Sequence, residues 1–110
     1  MIAWLFDVWP EHSLEFENQY GLNGAWAKLF SKSQEYLGTR LLQDTEHPHR
    51  YLTFDFWKSE AAFQEFEDKF GEEYRALDST FERLTVAETR LGAFSSEAGI
   101  SKGWTVFCAG

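Results

Sequence analysis

Alternation of apolar and polar positions predicts four β-strands. Residues 2–9 set Ile2 and Phe6 against Asp7 in the two-residue period of a strand, and Pro10 ends the run. The same period, bounded by turn-forming residues, predicts the other strands at 36–43, 50–57 and 82–92.

Apolar positions at steps of three and four predict helices over 13–20 and 24–34 and a longer one after the third strand. Ser59 suits the N-cap of that long helix, whose apolar repeat runs to Phe81. Gly71 interrupts it, so we expect a break into two pieces there. The order is strand, helix, helix, strand, strand, helix, strand.

This order predicts an α+β fold, a ferredoxin-like sandwich with helices on one face of an antiparallel sheet. We expect one domain over 1–92, and a tail over 93–110 that packs on the sheet edge or on a partner subunit. The other sheet face must also be covered, because four apolar residues are expected on it. Face-to-face pairing of two copies would bury them and predicts a homodimer. These residues are Leu5, Trp9, Tyr51 and Trp57.

Aromatic residues are more numerous than one small core needs: eleven Phe, five Trp and four Tyr among 110 residues. The excess indicates a cavity for a small aromatic ligand, a subunit interface or both. The net charge of −8 argues against binding to nucleic acid or an anionic membrane surface.

Residues near the two ends of the sequence indicate the cellular compartment. The first residues lack a basic segment, and Asp7 interrupts their apolar run, so neither a signal peptide nor a membrane span is predicted. Cys108 is the only cysteine, which excludes an intrachain disulfide and fits a reducing cytoplasm.

Two neighbours at the end of the third strand are candidates for chemistry. The indole of Trp57, at the junction with the long helix, could orient an oxygen of an aromatic ligand, or could simply fill the core or a dimer seam. Asp55 points the same way and could be a buried base with a raised pKa. Its alternative role is an interface ion pair with Arg40 or Arg90.

The walls of such a cavity would come from both layers of the sandwich. The predicted ligand-binding residues are Trp4, Phe6, Trp26, Phe30, Phe63 and Phe66, with Phe70 and Tyr74 further along the long helix. The competing interpretation is that these rings are core only.

His47 and His49 flank Pro48 in a polar hairpin loop. Because the proline keeps the backbone extended and sends the two rings apart, we interpret the loop as a turn and predict no metal site.

Three segments together resemble the antibiotic biosynthesis monooxygenase-like family of dimeric α+β barrels. They are the glycine-containing strand 36–44, the segment from His47 to Tyr51, and the sequence from Phe56 to Phe63 that joins strand to helix. The resemblance spans residues 2–92. It implies a dimeric α+β barrel and predicts a homodimer.

Members of that family include oxygenases that act on quinol or aromatic polyketide substrates without metal or flavin, and others that degrade haem. The haem-degrading members carry a histidine on the helix after the third strand, whereas residues 50–110 here contain none. The resemblance therefore implies an oxidoreductase without a cofactor, in which Trp57 and Tyr51 orient an aromatic substrate and Asp55 or a histidine handles a proton. The alternatives are a binding or sensing domain without catalysis, and a structural dimer without a ligand.

Overall fold

A computed structural model describes residues 1–95, in which four antiparallel strands form one sheet. Along the chain the strands are β1 (Ile2–Val8), β2 (Tyr36–Gln43), β3 (Arg50–Trp57) and β4 (Thr85–Ala93), and their order across the sheet is β2-β3-β1-β4. The helices α1 (Ser13–Tyr20), α2 (Ala25–Phe30) and α3 (Glu60–Phe81) supply the second layer. This arrangement confirms the α+β, ferredoxin-like class.

Two predicted boundaries move. Helix α2 ends at Phe30 rather than at residue 34, because the chain continues in turns in which the Ser31 hydroxyl donates to the Ala27 carbonyl at 2.6 Å. Strand β4 begins at Thr85 rather than at residue 82, because a 3₁₀ turn at Glu82–Leu84 first buries Leu84. Most of the predicted tail, residues 96–110 with Cys108, lies outside the described residues.

Helix α3 starts as predicted. The Ser59 hydroxyl accepts a hydrogen bond from the Ala62 amide at 3.0 Å and so satisfies one of the free donors of the first turn. The predicted division of this helix near Gly71 is present as a kink one residue earlier: Phe70 leaves helical geometry, with φ −115° and ψ 24°, and separates two helical pieces.

Strand register corrects the face assignment of two aromatic residues. Tyr51 pairs with Phe6 and therefore points toward the helices, as does Trp57 six residues further along β3. Both are buried in the core, so their predicted place on the face away from the helices is wrong. Trp9 lies beyond the end of β1 and is half exposed.

The core lies between the sheet and the helices and consists largely of rings in mutual contact. Phe16 of α1 stacks on Tyr20 with centroids 4.2 Å apart, and Phe30 of α2 packs edge-on against Phe66 of α3 at 5.3 Å. Such ring pairs stabilise a core beyond their buried area, and here they tie all three helices to one sheet face.

The opposite sheet face carries aliphatic and aromatic side chains at its centre. Leu5 pairs with Leu52 and Ala3 with Phe54 across β1 and β3, and Leu42 pairs with Leu52 from β2. Leu5, Leu52 and Phe54 are only partly buried, and Leu42 is half exposed. This set of partly covered residues (Leu5, Leu42, Leu52 and Phe54) is referred to below as the outer-face patch.

Candidate functional site

A cleft opens between the sheet and the helices, toward the β1–β4 side of the core. The cleft has a volume of about 40 Å³. A ring system therefore enters only if side chains at the mouth move, of which Trp4 and Tyr74 are partly exposed. Ten residues line the cleft: six aromatic (Trp4, Phe6, Tyr20, Trp26, Phe30, Tyr74), three acidic (Asp55, Asp78, Glu88) and Thr53.

Asp55 is the most deeply buried charged group of the cleft. Strand β3 points it toward the helices, and it is 7% exposed. Burial raises the pKa of its carboxyl from 3.8 to about 7, against the opposing effects of a hydrogen bond from Thr39 and of the positive chain terminus. A carboxyl with this pKa exchanges a proton near neutral pH, as a general base requires.

A hydrogen-bonded chain leads from Asp55 to the edge of the sheet. The Thr39 hydroxyl donates to the Asp55 Oδ1 at 2.8 Å, and the Tyr36 hydroxyl contacts the same Thr39 oxygen. Since a threonine hydroxyl has one proton, Tyr36 must be the donor to Thr39 while Asp55 is ionised. Burial raises the pKa of Tyr36 to about 12, so this tyrosine stays protonated and acts as a donor at neutral pH.

Within one chain, Asp55 has a neutral hydrogen-bond partner, and an ion pair across a subunit interface stays a prediction. Among the described residues, its side-chain partner is Thr39 of the neighbouring strand, and neither Arg40 nor Arg90 forms a salt bridge with it. Arg40 pairs with Phe54, so it lies on the opposite sheet face from Asp55.

Trp57 lies beneath the cleft rather than in its wall. It is 0% exposed, and its indole packs edge-on against Phe30 and Phe63, with both centroid distances 5.3–5.5 Å. Its N–H is buried and has no hydrogen-bond partner among residues 1–95. The position lets Trp57 act on a ligand through Phe30, which does line the cleft.

Tyr51 lies at the other end of β3 from Asp55. Four residues separate them, which is roughly 13 Å along a strand. The Tyr51 hydroxyl donates to the Glu17 carboxylate, and burial together with that carboxylate raises its pKa to about 12. The two predicted residues therefore do not meet at one point.

Of the predicted wall residues, Trp4, Phe6, Trp26 and Phe30 line the cleft and Phe63 and Phe66 do not. The last two contact Trp57 in the core. Tyr74, another predicted wall residue, lies one turn beyond the kink of α3 and lines the cleft, whereas Phe70 does not.

Comparison with known proteins identifies the family. The family model described as "Antibiotic biosynthesis monooxygenase" matches residues 2–79, which is more than half of the chain. The chain belongs to the antibiotic biosynthesis monooxygenase family. No curated protein matches it.

Two solved structures share the fold of this family member. The protein PA3566 from Pseudomonas aeruginosa superposes with a TM-score of 0.58 at 16% identity, over 86% of this chain and 92% of that one. A "Putative monooxygenase (FN1347)" from Fusobacterium nucleatum gives a TM-score of 0.57 at 15% identity, over 81% of this chain and 39% of that one. At these identities the similarity establishes the fold.

Several residues of the cleft have no distinguishing signal in the sequence. Asp78 of α3 and Glu88 of β4 follow the helix and strand periods and resemble ordinary solvated acids in sequence. The register that pairs Glu88 with Phe6 places it on the helix side of the sheet. Thr39 and Tyr36, which connect to Asp55, also gave no signal, because neighbouring strands bring them together.

The histidine loop contains no metal cluster. The Asp44 carboxylate accepts amide hydrogen bonds from Glu46 and His47 and forms a polar turn. Within residues 1–95, no group of three histidine, cysteine or acidic side chains is placed to hold a metal ion. None of the helices in that part of the chain has the length and apolar character that a membrane crossing requires.

Proposed function

We propose that this protein is a monooxygenase-like enzyme that oxidises an aromatic or quinol-type small molecule in the cleft. The observation that carries the proposal is Asp55, a buried carboxyl with a pKa of about 7 at an aromatic cleft. The family supports an oxygenase role, and the rings supply a surface for a flat substrate.

The chemistry needs only the substrate, dioxygen and a base. Asp55 removes a proton from an activated CH₂ group beside a phenolic ring, or from a hydroxyl group of a quinol, and the carbon atom made nucleophilic in this way forms a C–O bond with dioxygen. The peroxide takes the proton back from Asp55 and then loses water, which leaves a carbonyl. One oxygen atom stays in the product and the other becomes water, and both electrons come from the substrate.

The surrounding residues divide the remaining tasks. Thr39 and Tyr36 hold the Asp55 carboxylate by a hydrogen-bonded chain and offer a proton path toward the edge strand β2. Trp57 supports Phe30 in the cleft wall from beneath. Tyr51 contacts the ligand only if the ligand is long enough to reach the other end of β3.

Oxygen uptake with anthrone and hydroquinone tests this function. We expect uptake above the rate without protein, and a loss of at least a hundredfold in Asp55→Asn, since general-base catalysis typically contributes roughly 10²–10⁴-fold. Asp68→Asn removes a carboxylate from the exposed side of α3 and is the matched control, with an unchanged rate. Uptake that is equal in Asp55→Asn and the wild type would exclude Asp55 as the base. Thermal stabilisation by these compounds without uptake would support a binding domain.

We further propose that the protein is a homodimer that pairs through the outer-face patch. Leu42, Leu52 and Leu5 lie side by side across β2, β3 and β1, and Phe54 follows Leu52 on the same face of β3. All four stay partly exposed in one chain. A second copy of the same face would bury these side chains by a two-fold contact. The three helices pack on the other face, so this pairing leaves the cleft open.

A further inference from the structure

The cleft combines aromatic walls with negative charge. Six of its ten lining residues are aromatic and three are acidic, and no Lys, Arg or His of the described residues lines it. Aromatic faces attract cations through their negative ring faces, most strongly when water is excluded.

The carboxylates converge on the cleft rather than pointing away from it. Burial raises the pKa of Tyr74, and four carboxylates raise it further; they belong to Glu67, Asp55, Asp78 and Glu88. Burial likewise raises the pKa of Tyr20, with added contributions from Glu88 and Asp78. Two tyrosines of the cleft, one on α1 and one on α3, therefore experience the same negative potential.

Two positive groups, Arg90 and the amino group of Met1, act on carboxylates in and around the cleft. Arg90 pairs with Trp4 in the strand register and so lies on the helix side of the sheet, where its charge acts on Glu67. That leaves Asp78 and Glu88 at the mouth without a salt bridge among the described residues. Burial raises the pKa of Glu88, and the neighbouring carboxylates of Asp78 and Glu82 add to the effect. A cationic group at the mouth would relieve this repulsion.

A second, independent feature points to a ligand. Trp26 lines the cleft and is 8% exposed, and no described residue accepts from its indole N–H with full hydrogen-bond geometry. The Tyr20 hydroxyl oxygen faces this N–H as a weak acceptor, which opposes the rise in the Tyr20 pKa, but the contact falls short of a well-formed hydrogen bond. Because an unpaired buried donor costs free energy, a ligand oxygen that accepts from it would be stabilising.

We propose that the cleft is selective for aromatic organic cations. These are flat ring compounds that carry an oxygen atom attached to the ring and, elsewhere, a protonated amine. The ring lies between the aromatic walls, and the oxygen attached to it accepts a hydrogen bond from the indole N–H of Trp26. The amine lies at the mouth beside Asp78 and Glu88. This inference rests on the proposed function, since it names the substrate class of the same cleft.

The assignment also fits the proposed chemistry. When Asp55 accepts a proton, negative charge moves from the carboxylate to the substrate ring, and a cleft with further carboxylates opposes an anionic ring. A positive charge on the ligand offsets that repulsion, whereas an anionic ligand would add to it.

The selectivity can be tested with three phenols that share the same ring and differ in charge. Isothermal titration calorimetry measures the affinity of the protein for each of them. Tyramine is a cation, 4-ethylphenol is neutral, and 4-hydroxyphenylacetate is an anion. We expect the wild-type protein to bind tyramine about tenfold more tightly than 4-ethylphenol, and 4-hydroxyphenylacetate most weakly. Equal affinity for tyramine and 4-ethylphenol, tighter binding of the anion, or no binding of any of the three would overturn the proposal.

A charge-neutralising variant locates the effect. Glu88→Gln should reduce the preference for tyramine over 4-ethylphenol at least threefold. Glu65→Gln makes the same change on an exposed position of α3 and should keep the full preference. If both variants lose the preference equally, overall charge rather than the cleft causes it, and the proposal fails.

The oxygen-uptake assay separates this inference from the function on which it rests. Uptake with anthrone or hydroquinone but no tyramine preference rejects the cation selectivity and retains the oxygenase. A tyramine preference without uptake from any compound, including tyramine, retains the cation site and rejects the oxygenase.

Discussion

Asp55 is the residue on which stability and proposed chemistry meet. Its carboxyl is buried in the cleft, where the main compensation for lost hydration is one hydrogen bond from Thr39. Since burial penalises the charged form, the residue favours a proton at a pH where most carboxyls are ionised. A proton-accepting residue placed this way costs folding free energy whenever it is ionised.

Asp55→Asn should therefore change how stability depends on pH. The folded pKa of about 7 lies above the unfolded value of 3.8, so between these pH values the folded chain keeps a proton that the unfolded chain releases. The resulting stabilisation is full below the unfolded pKa and is lost as pH rises through the folded pKa, in total roughly 4 kcal/mol. The Asp55→Asn variant does not lose this stability as the pH rises, because the asparagine side chain does not ionise.

Urea unfolding between pH 4 and pH 8 measures the effect. We expect Asp55→Asn to gain stability relative to the wild type across this interval and to be the more stable of the two at pH 8. Asp68→Asn, at an exposed position, should track the wild type. A constant difference between Asp55→Asn and the wild type at every pH would contradict the raised pKa.

At the scale of elements, strand β2 depends on one backbone conformation. Gly38 has φ +136°, a region that side chains rarely adopt, and it lies where the pairing of β2 with β3 shifts register. The irregularity precedes Thr39, so the same feature sets the position of the hydroxyl that contacts Asp55. Local backbone geometry and the candidate site are linked through two consecutive residues.

Gly38→Ala should destabilise the protein by roughly 1–3 kcal/mol, although there is open space around the position, because the backbone conformation itself becomes strained. Gly71→Ala is the matched comparison in helix α3. There the new methyl group meets only the flexible end of Arg75 at 3.1 Å, and replacing a helical glycine should stabilise by roughly 0.5–1 kcal/mol. Thermal unfolding of the two variants should move in opposite directions; equal shifts would refute the strain at Gly38.

At the scale of the whole molecule, the two sheet faces have different tasks. The helix side contains the aromatic core and the cleft, and the outer-face patch is the proposed dimer contact. This division lets a dimer form without closing the cleft.

Sedimentation at micromolar concentration tests the dimer. The wild type should sediment with twice the chain mass of 12.8 kDa. Phe54→Glu, which places a charge in the middle of the outer-face patch, should sediment as a monomer, because an unpaired charge is costly to bury. Leu14→Glu alters an exposed residue of α1 and should remain a dimer. A wild-type monomer would reject the dimer itself.

The sequence by itself determined the order of elements and the fold class. Period-two and period-3.6 patterns depend only on neighbours along the chain, and so do the N-cap at Ser59 and the polar turn at Asp44. The aromatic excess indicated a ligand cavity, a subunit interface or both, and the structure places Trp4 and Trp26 at a cleft.

Only the tertiary structure decided which rings face the cleft and which face the core. Strand register sets the face of Tyr51 and Trp57, and a shift of one residue reverses it, so alternation alone could not tell the two sheet faces apart. The contact of Thr39 with Asp55 and the approach of Glu88 to Asp78 depend on strand pairing and helix packing between residues distant in sequence. The acidic character of the cleft therefore became visible only in the folded chain.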